Sequence, residues 1–182
     1  LLPVVELKEV FRQSMGSLIV TNAHRIVNGE KIVTDRKDGD FFLMERQTPA
    51  LAAKTIAELY AERLPRAYSY SPLRDIQVLC PSKKGEAGTV NLNKILQLNS
   101  GFRLFREGDK VMQIKNNYDI HWDSDKESGE GIFNGDIGII EKIDLKSETA
   151  FISFDDRTAQ YAKEQMTELE LAYAVTVHKS QG

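Results

Sequence analysis

The chain has 182 residues, 41% of them hydrophobic and 28% charged, with a formal net charge of −3. This composition is typical of a globular protein with one good core and a small second unit, and it carries no global basic signal for nucleic acid. No apolar run is long enough to span a membrane, no basic-then-apolar leader opens the chain, and the lone Cys80 cannot form an internal disulfide, so we expect a cytoplasmic protein.

Charge is unevenly distributed along the chain. Residues 1–102 carry 14 Lys and Arg against 11 Asp and Glu, a net of +3, whereas residues 103–161 carry 8 against 13, a net of −5. The change coincides with a switch from helix-length periodicity to short alternating runs. We therefore predict a domain boundary near Gly101.

The first predicted helix begins at the N-cap Ser17 and is closed by Gly29. A short strand is predicted before it, at residues 4–7, and a buried strand after it, at residues 40–44. Its apolar positions recur at helical spacing and predict one buried face. They are Ile19, Ala23, Ile26 and Val27.

Two further helices and a strand follow. Thr48 starts the second helix, with Pro49 in the first helical position where its missing N–H costs nothing, and Pro65 is expected to end it. Residues 75–80 predict a third buried strand, and Thr89 is expected to cap the third helix. The apolar face of that helix is Leu92, Ile95 and Leu96. Strands that alternate with helices predict a parallel sheet covered by helices.

After residue 102 the pattern changes to short strands separated by Gly-Asp and Asp-Asp turns. Closure of such strands into a small barrel removes exposed edges, so we predict a barrel inserted into the α/β domain. Residues 121–131 are expected to form a polar, mobile loop between strands. The predicted strands are residues 109–114, 136–143, 149–154 and 157–161.

The last twelve residues predict a buried strand that runs into a polar turn. Side chains at the carboxyl end of such a strand can project into a crevice, with free backbone N–H groups nearby to meet phosphate oxygens. An ordinary strand ending in a solvated turn is the alternative, and His178 has no second metal ligand at a suitable spacing. The predicted buried positions are Leu171, Tyr173, Val175 and Val177.

Two more groups are candidates for binding phosphate. Arg12 follows the first predicted strand, where a guanidinium can stabilise charge during phosphoryl transfer; a surface ion pair is the alternative. The loop at residues 81–88 places two lysines and two glycines before a helix, which suits a nucleic-acid phosphate as well as it suits a solvated loop. The chain contains neither a Gly-x-x-x-x-Gly-Lys-Ser/Thr phosphate loop nor an acidic tetrad following a strand to hold magnesium, so we expect no unaided nucleotide hydrolysis.

Six ordered blocks of sequence resemble the RecD-like branch of superfamily 1 DNA helicases. They are Val10-Phe-Arg-Gln13, Val78-Leu-Cys-Pro81, Gly108-Asp-Lys-Val-Met-Gln113, Asn116-Asn-Tyr118, Phe133-Asn-Gly-Asp136 and Ala172-Tyr-Ala-Val-Thr-Val-His-Lys-Ser-Gln-Gly182. The resemblance covers nearly the whole chain. It implies a RecA-like parallel sheet with helices on both faces at residues 1–102, an SH3-like β-barrel at 103–164, and a return strand with the last motif at 165–182.

The resemblance also implies an activity. In that family two RecA-like domains clamp ATP and Mg²⁺ between them and move 5′ to 3′ along single-stranded DNA. The chain resembles the second of these domains, so the implied partners are single-stranded DNA and an N-terminal RecA-like domain of the same protein, acting alone or with other subunits of a recombination nuclease. No membrane partner is implied.

Individual roles follow by position. The resemblance implies that Arg12 is catalytic and reaches the γ-phosphate, and that the nucleotide is also contacted by Gln13, Lys179, Gln181 and Gly182. No metal ligand is implied. For residues 116–118 a purely structural strand end is the alternative to a DNA contact. The nucleic-acid contacts predicted from the resemblance and the residue patterns together are Pro81, Ser82, Lys83, Thr89, Asn93, Asn116, Asn117, Tyr118, Thr176, His178 and Ser180.

Two other functions remain open. The helicase half of a conjugative relaxase has similar motifs, and a relaxase domain in the parent gene would identify it. A nucleic-acid adaptor that uses a RecA-like fold without ATPase activity is the second. A phosphate-loop domain upstream in the parent reading frame favours a helicase over the adaptor.

Overall fold

The computed structural model describes residues 16–34, 39–97 and 105–180. The chain divides into two compact units, Leu1–Glu45 and Arg46–Gly182. The predicted strand at residues 4–7 and the predicted boundary near Gly101 lie outside the described residues. Within the described part of the chain, no helix is long and apolar enough to cross a membrane.

The first unit contains helix α1 (Leu18–Val27). Ser17 caps it as predicted, because its hydroxyl accepts an N–H of the first turn, and the Asp40 carboxylate accepts two more. These bonds satisfy N–H groups that have no partner inside the helix. Gly29 follows the helix with a φ of 72°, in the left-handed region that glycine favours.

Two expectations for this unit are wrong. The buried residues of α1 are Leu18 and Asn22, whereas Ile26 and Val27 of the predicted apolar face are 63% and 84% exposed. Residues 40–44 do not form a strand, and their apolar side chains are largely exposed. A strand needs a hydrogen-bonded neighbour, and among the described residues no strand pairing involves this segment.

The second unit begins with a long helical stretch. Thr48 caps α2 (Pro49–Glu58) as predicted, and a π-helical turn (Leu59–Arg63) leads into α3 (Leu64–Tyr68). The expectation that Pro65 ends the helix is therefore wrong. The π-helical turn shifts the hydrogen bonding, so Pro65 falls in the first turn of α3, where a missing N–H is tolerated.

Strand β1 (Val78–Cys80) and helix α4 (Thr89–Leu96) come next. Gly88 is the N-cap of α4 and Thr89 is its first helical residue, so the prediction that Thr89 caps the helix is wrong. A Cβ atom at Gly88 would lie 2.4 Å from the Lys84 carbonyl oxygen, which leaves room only for glycine. Two of the three predicted apolar positions of α4 are buried, and the third, Ile95, is 39% exposed.

Seven strands then form one antiparallel sheet. They are β2 (Lys110–Gln113), β3 (Asn117–Ser124), β4 (Ser128–Ile132), β5 (Ile137–Asp144), β6 (Thr149–Phe154), β7 (Arg157–Ala162) and β8 (Leu169–Leu171). Their order is β4-β3-β7-β6-β5-β2-β8, and the four strands predicted from the sequence are all present. Ile132 and Leu169 come from opposite edges of the sheet yet share one core, so the sheet curves strongly around it.

The predicted polar loop at residues 121–131 is wrong, because β3 and β4 pair there as a hairpin. Gly129 lies opposite Trp122, and a Cβ atom on it would lie 2.4 Å from the indole ring. Gly131 has a φ of 101°. The glycines that indicate a loop in the sequence therefore serve close packing and a local twist of the hairpin.

The predicted terminal strand is split between two sheets. β8 pairs with β2 in the antiparallel sheet, whereas β9 (Ala174–Thr176) pairs in parallel with β1. Helix α5 (Val177–Ser180) follows directly, and Val177 is 50% exposed, so its predicted burial is wrong. Residues 172–175 are all buried, which is why alternation alone misplaces the strand.

Candidate nucleic-acid interface

Two of the predicted binding segments lie at the same edge of the parallel strand pair. Cys80 and Thr176, the last residues of β1 and β9, are register partners. The loop at residues 81–88 follows β1, and α5 follows β9, so both leave from the carboxyl ends of adjacent strands. The structure thereby brings together two groups of predicted contacts. They are Pro81, Ser82 and Lys83 from the loop, and Thr176, His178, Lys179 and Ser180 from β9 and α5.

The loop after β1 has a defined backbone. The carbonyl oxygens of Ser82 and Lys83 accept the first N–H groups of α4, and the Ser82 hydroxyl donates to Lys84 O at 3.0 Å. Gly85 has a φ of 92°. All of residues 81–86 are exposed, so their side chains are accessible to a ligand.

The Lys83 ammonium is not free in this arrangement. It lies 3.3 Å from the Glu170 carboxylate of β8, and both side chains are about half exposed. An exposed pair of this kind contributes little to stability, because water screens it. The Lys83 ammonium is therefore held beside β8 by a weak ion pair, which a phosphate can replace at low cost.

A turn of the antiparallel sheet contacts α5. The Lys179 ammonium donates to Asn134 Oδ1 at 2.5 Å, and the Asn134 N–H donates to Asn116 Oδ1 at 2.9 Å. The turn is fixed from within, because the Phe133 N–H donates to the Asp136 carboxylate at 3.0 Å. This chain of contacts brings the predicted barrel group at residues 116–118 next to the terminal motif.

An exposed aromatic pair flanks this turn. The rings of Tyr118 and Phe133 meet edge to face with centroids 5.6 Å apart. Tyr118 is 65% exposed and Phe133 is 39% exposed. An aromatic side chain on a polar surface offers a face on which a base can stack.

Three of the predicted contacts face inward. Thr89 is buried, and Asn93 is buried with its amide bonded to the Leu171 and Ala174 carbonyls and to the Ala174 N–H. Asn117 donates to the Glu168 carboxylate at 3.0 Å. The structure does not bring these three side chains to the surface that the others share.

Glu168 also engages Lys115, the residue directly before the barrel group. Its carboxylate lies 3.0 Å from the Lys115 ammonium and accepts from Gln113 at 2.8 Å. Although burial raises the pKa of Glu168, the hydrogen bonds from Asn117, Lys115 and Gln113 outweigh that effect and the net shift is downward. Lys115 therefore helps to hold an internal carboxylate, and Tyr118 is the aromatic member of the barrel group that remains open to solvent.

Four predicted nucleotide contacts, namely Arg12, Gln13, Gln181 and Gly182, lie outside the described residues. Among the residues that are described, no cluster of three or more His, Cys, Asp or Glu side chains is arranged to hold a metal ion.

Phe133 and Asn134 are the surface residues that the sequence prediction missed. Asn134 precedes Gly135, whose φ of 101° is typical of an Asn-Gly turn. An aromatic residue directly before such a turn is the signal available in the sequence. Their contact with Tyr118 and Lys179 depends on pairing between distant segments, which the sequence does not show.

The fold defines an α/β protein that carries a small, strongly curved antiparallel sheet domain. Residues 89–154 match the family model of the ATP-dependent RecD-like DNA helicase SH3 domain. The chain is 31% identical to the ATP-dependent RecD2 DNA helicase of Deinococcus radiodurans over 191 residues, which cover 99% of this chain and 23% of that protein. The chain is therefore similar to RecD-like DNA helicases over nearly its whole length, and it spans about a quarter of the length of that relative.

A second relative shares part of the chain. It is the uncharacterized protein MJ1519 of Methanocaldococcus jannaschii, 34% identical over 136 residues. The match covers 59% of this chain and 11% of that protein.

Proposed function

We propose that the chain is part of an ATP-dependent DNA helicase that moves 5′ to 3′ along single-stranded DNA and acts in recombination and repair in the cytoplasm. The observation that carries this proposal is the shared surface where the loop after β1, helix α5 and the turn at residues 133–136 meet. A helicase steps over any sequence, so it must hold the strand through phosphates and stacked bases. Exposed hydroxyl, imidazole and ammonium groups together with an aromatic pair suit that task.

In this proposal the nucleotide site is shared between two domains. The parallel strand pair and its helices form part of a RecA-like domain at residues 1–102 and 165–182, with the SH3-like domain inserted at 103–164. ATP and Mg²⁺ are held mainly by an N-terminal RecA-like domain of the same protein. Arg12, Gln13, Lys179, Gln181 and Gly182 complete the site from this chain, and Arg12 neutralises charge on the transferring phosphoryl group.

The strand lies across the exposed end of β1 and β9. Ser82, Lys83, Thr176, His178 and Ser180 contact its phosphates. Tyr118, supported edge-on by Phe133, stacks on a base. The backbone contacts position the strand without reading its sequence.

The aromatic contact gives a direct test. Tyr118→Ala removes a stacking face that contributes about 1–3 kcal/mol per base, so the dissociation constant for an oligothymidine should rise roughly 5- to 150-fold. Fluorescence anisotropy with the full-length protein measures this change. Tyr70→Ala is the matched control. Tyr70 is also an exposed tyrosine with an aromatic partner, but it lies in the loop after α3 and stacks on Tyr68, the last residue of that helix.

The control variant should bind the oligothymidine like the wild type. Equal affinities for the wild type and Tyr118→Ala, with both proteins folded by circular dichroism, would leave Tyr118 as a structural residue and remove the aromatic part of the interface.

A further inference from the structure

A second cation-bearing groove lies between the loop before β1 and the antiparallel sheet, and it borders the interface at Gly135 and Asp136. Its volume is about 660 Å³, and it is lined by residues of that loop and of β2, β5 and β6. This volume falls within the range of roughly 300–1,000 Å³ that small-ligand sites occupy. The groove is therefore large enough for a phosphate-bearing small molecule.

A buried lysine lines the groove. Lys110 is only 6% exposed, and its ammonium donates to the Ile76 carbonyl oxygen at 3.2 Å. That carbonyl is its one hydrogen-bond acceptor among the described residues, and no described carboxylate lies within ion-pair distance. Burial lowers the pKa of Lys110. A buried ammonium with three donors and one neutral acceptor is far from satisfied.

The neighbouring acid does not compensate this charge. Asp109 turns its carboxylate to the Gln97 amide at 2.6 Å and the Tyr173 hydroxyl at 2.8 Å. It also accepts the Arg106 N–H at 2.7 Å. With these three donors in place, Asp109 joins the end of α4 to the segment between β8 and β9 and is not the counter-ion of Lys110.

The other charged groups of the groove are at its walls. Arg74 adds a second, exposed cation. The Asp136 carboxylate is paired with Arg157 at 3.0 Å, and Asp155 lies in an exposed turn. Gln77 uses its amide on backbone carbonyls. Among the described residues, the buried charge of the groove that has no carboxylate partner is therefore positive and lies at Lys110.

We propose that this groove binds a phosphate group through Lys110 and Arg74, two cations that the proposed strand contacts do not include. A bound phosphate accepts the free donors of Lys110 and supplies the missing negative charge in a place where water screens it weakly. The phosphate belongs either to a free nucleotide or pyrophosphate, or to a nucleic-acid strand that enters the groove.

Thermal unfolding of the protein with and without millimolar sodium pyrophosphate tests the site, with sodium chloride added to equal ionic strength. At ten times its dissociation constant, pyrophosphate should raise the wild-type midpoint by about 3 °C, because it binds only the folded state. Lys110→Met keeps the volume and removes the charge, so it should fold and lose this shift. Arg74→Gln changes an exposed residue and should reduce it.

Lys142→Met, an exposed lysine of β5 outside the groove, is the control and should keep the full shift. Oligothymidine affinity of the same variants identifies the source of the phosphate: a loss confined to pyrophosphate indicates a free ligand, and a parallel loss of strand affinity indicates nucleic acid. An equal pyrophosphate shift in the wild type, Lys110→Met and Arg74→Gln would overturn the proposal. Failure of the Tyr118 test would leave this result unaffected, so the two proposals are separable.

Discussion

Glu168 shows how a single buried carboxylate organises the antiparallel sheet. It accepts from Gln113 of β2 and Asn117 of β3, and Gln113 in turn accepts from the Tyr161 hydroxyl of β7 at 3.0 Å. The Lys115 ammonium supplies the countercharge. Strands β2, β3 and β7 are thereby tied to the helical turn before β8 by one hydrogen-bond network around the Glu168 carboxylate.

The pKa of Glu168 makes this contribution pH-dependent. Because the folded-state pKa is lowered from the ordinary 4.5, the stabilisation is present above that value and is lost as the pH falls through the lower folded value. We expect Glu168→Gln to be less stable than the wild type at neutral pH and to approach it in acid. Urea unfolding across this pH range measures the difference.

Glu141→Gln is the control, because Glu141 is exposed on β5. Its unfolding free energy should follow the wild type at each pH. A constant gap between the wild type and Glu168→Gln through the acidic range would show that the carboxylate is not the titrating group.

Residue type alone does not separate a surface amide from a structural one. Asn93 and Asn117 carry the same side chain as the exposed Asn116, yet both donate into the interior. The partners of Asn93 lie about 80 residues further along the chain. Such a partner is invisible to any local pattern, which is why the sequence could predict the segments of the site but not which amides reach the surface.

At the scale of elements, two helix caps set by local bonds were predictable, and three features set by packing were not. The caps at Ser17 and Thr48 need only their own first turn, and both are confirmed. Residues 40–44, the hairpin at 121–131 and the division of the terminal strand depend on what packs against them. The same apolar run can lie in either of two sheets, and only the pairing of β8 with β2 decides.

The junction of β9 and α5 carries the next prediction. Thr176 ends the strand and is partly exposed, while His178 lies in the helix and is exposed, so both can reach a strand at this edge. In the proposed function, their hydroxyl and imidazole groups donate to phosphates of the strand. If the proposed function holds, Thr176→Ala with His178→Ala in the full-length protein should lower DNA-stimulated ATP hydrolysis, with the DNA-independent rate much less affected.

Steady-state phosphate release with and without oligothymidine measures both rates. His121→Ala is the control, because His121 is an exposed histidine of β3 paired with Asp123, in the antiparallel sheet. Full stimulation in a folded double variant would show that these two side chains do not contact the strand.

For the molecule as a whole, the family was more predictable than the architecture. The blocks that carry the resemblance are spread from Val10 to Gly182. They are recognised by their residues and their order, so a wrongly predicted strand does not affect them. The resemblance to the family depends on residue identities, which can be read directly from the sequence. The architecture of the sheet depends on which strands pair, and the sequence does not show that. Of the predicted parallel sheet, the described residues contain two strands: β1 pairs with β9, and neither pairs with another described strand.

The final prediction concerns the isolated chain. ATP hydrolysis in the proposed mechanism needs groups from both sides of a cleft, and the phosphate loop and magnesium ligands are expected from the other RecA-like domain. The 182-residue chain should therefore release no phosphate above background with Mg²⁺, ATP and oligothymidine present, whereas the full-length protein should turn over under the same conditions. A malachite-green assay on both proteins measures this. Steady, magnesium-dependent release by the pure chain would show that it holds a complete nucleotide site and would end the two-domain proposal.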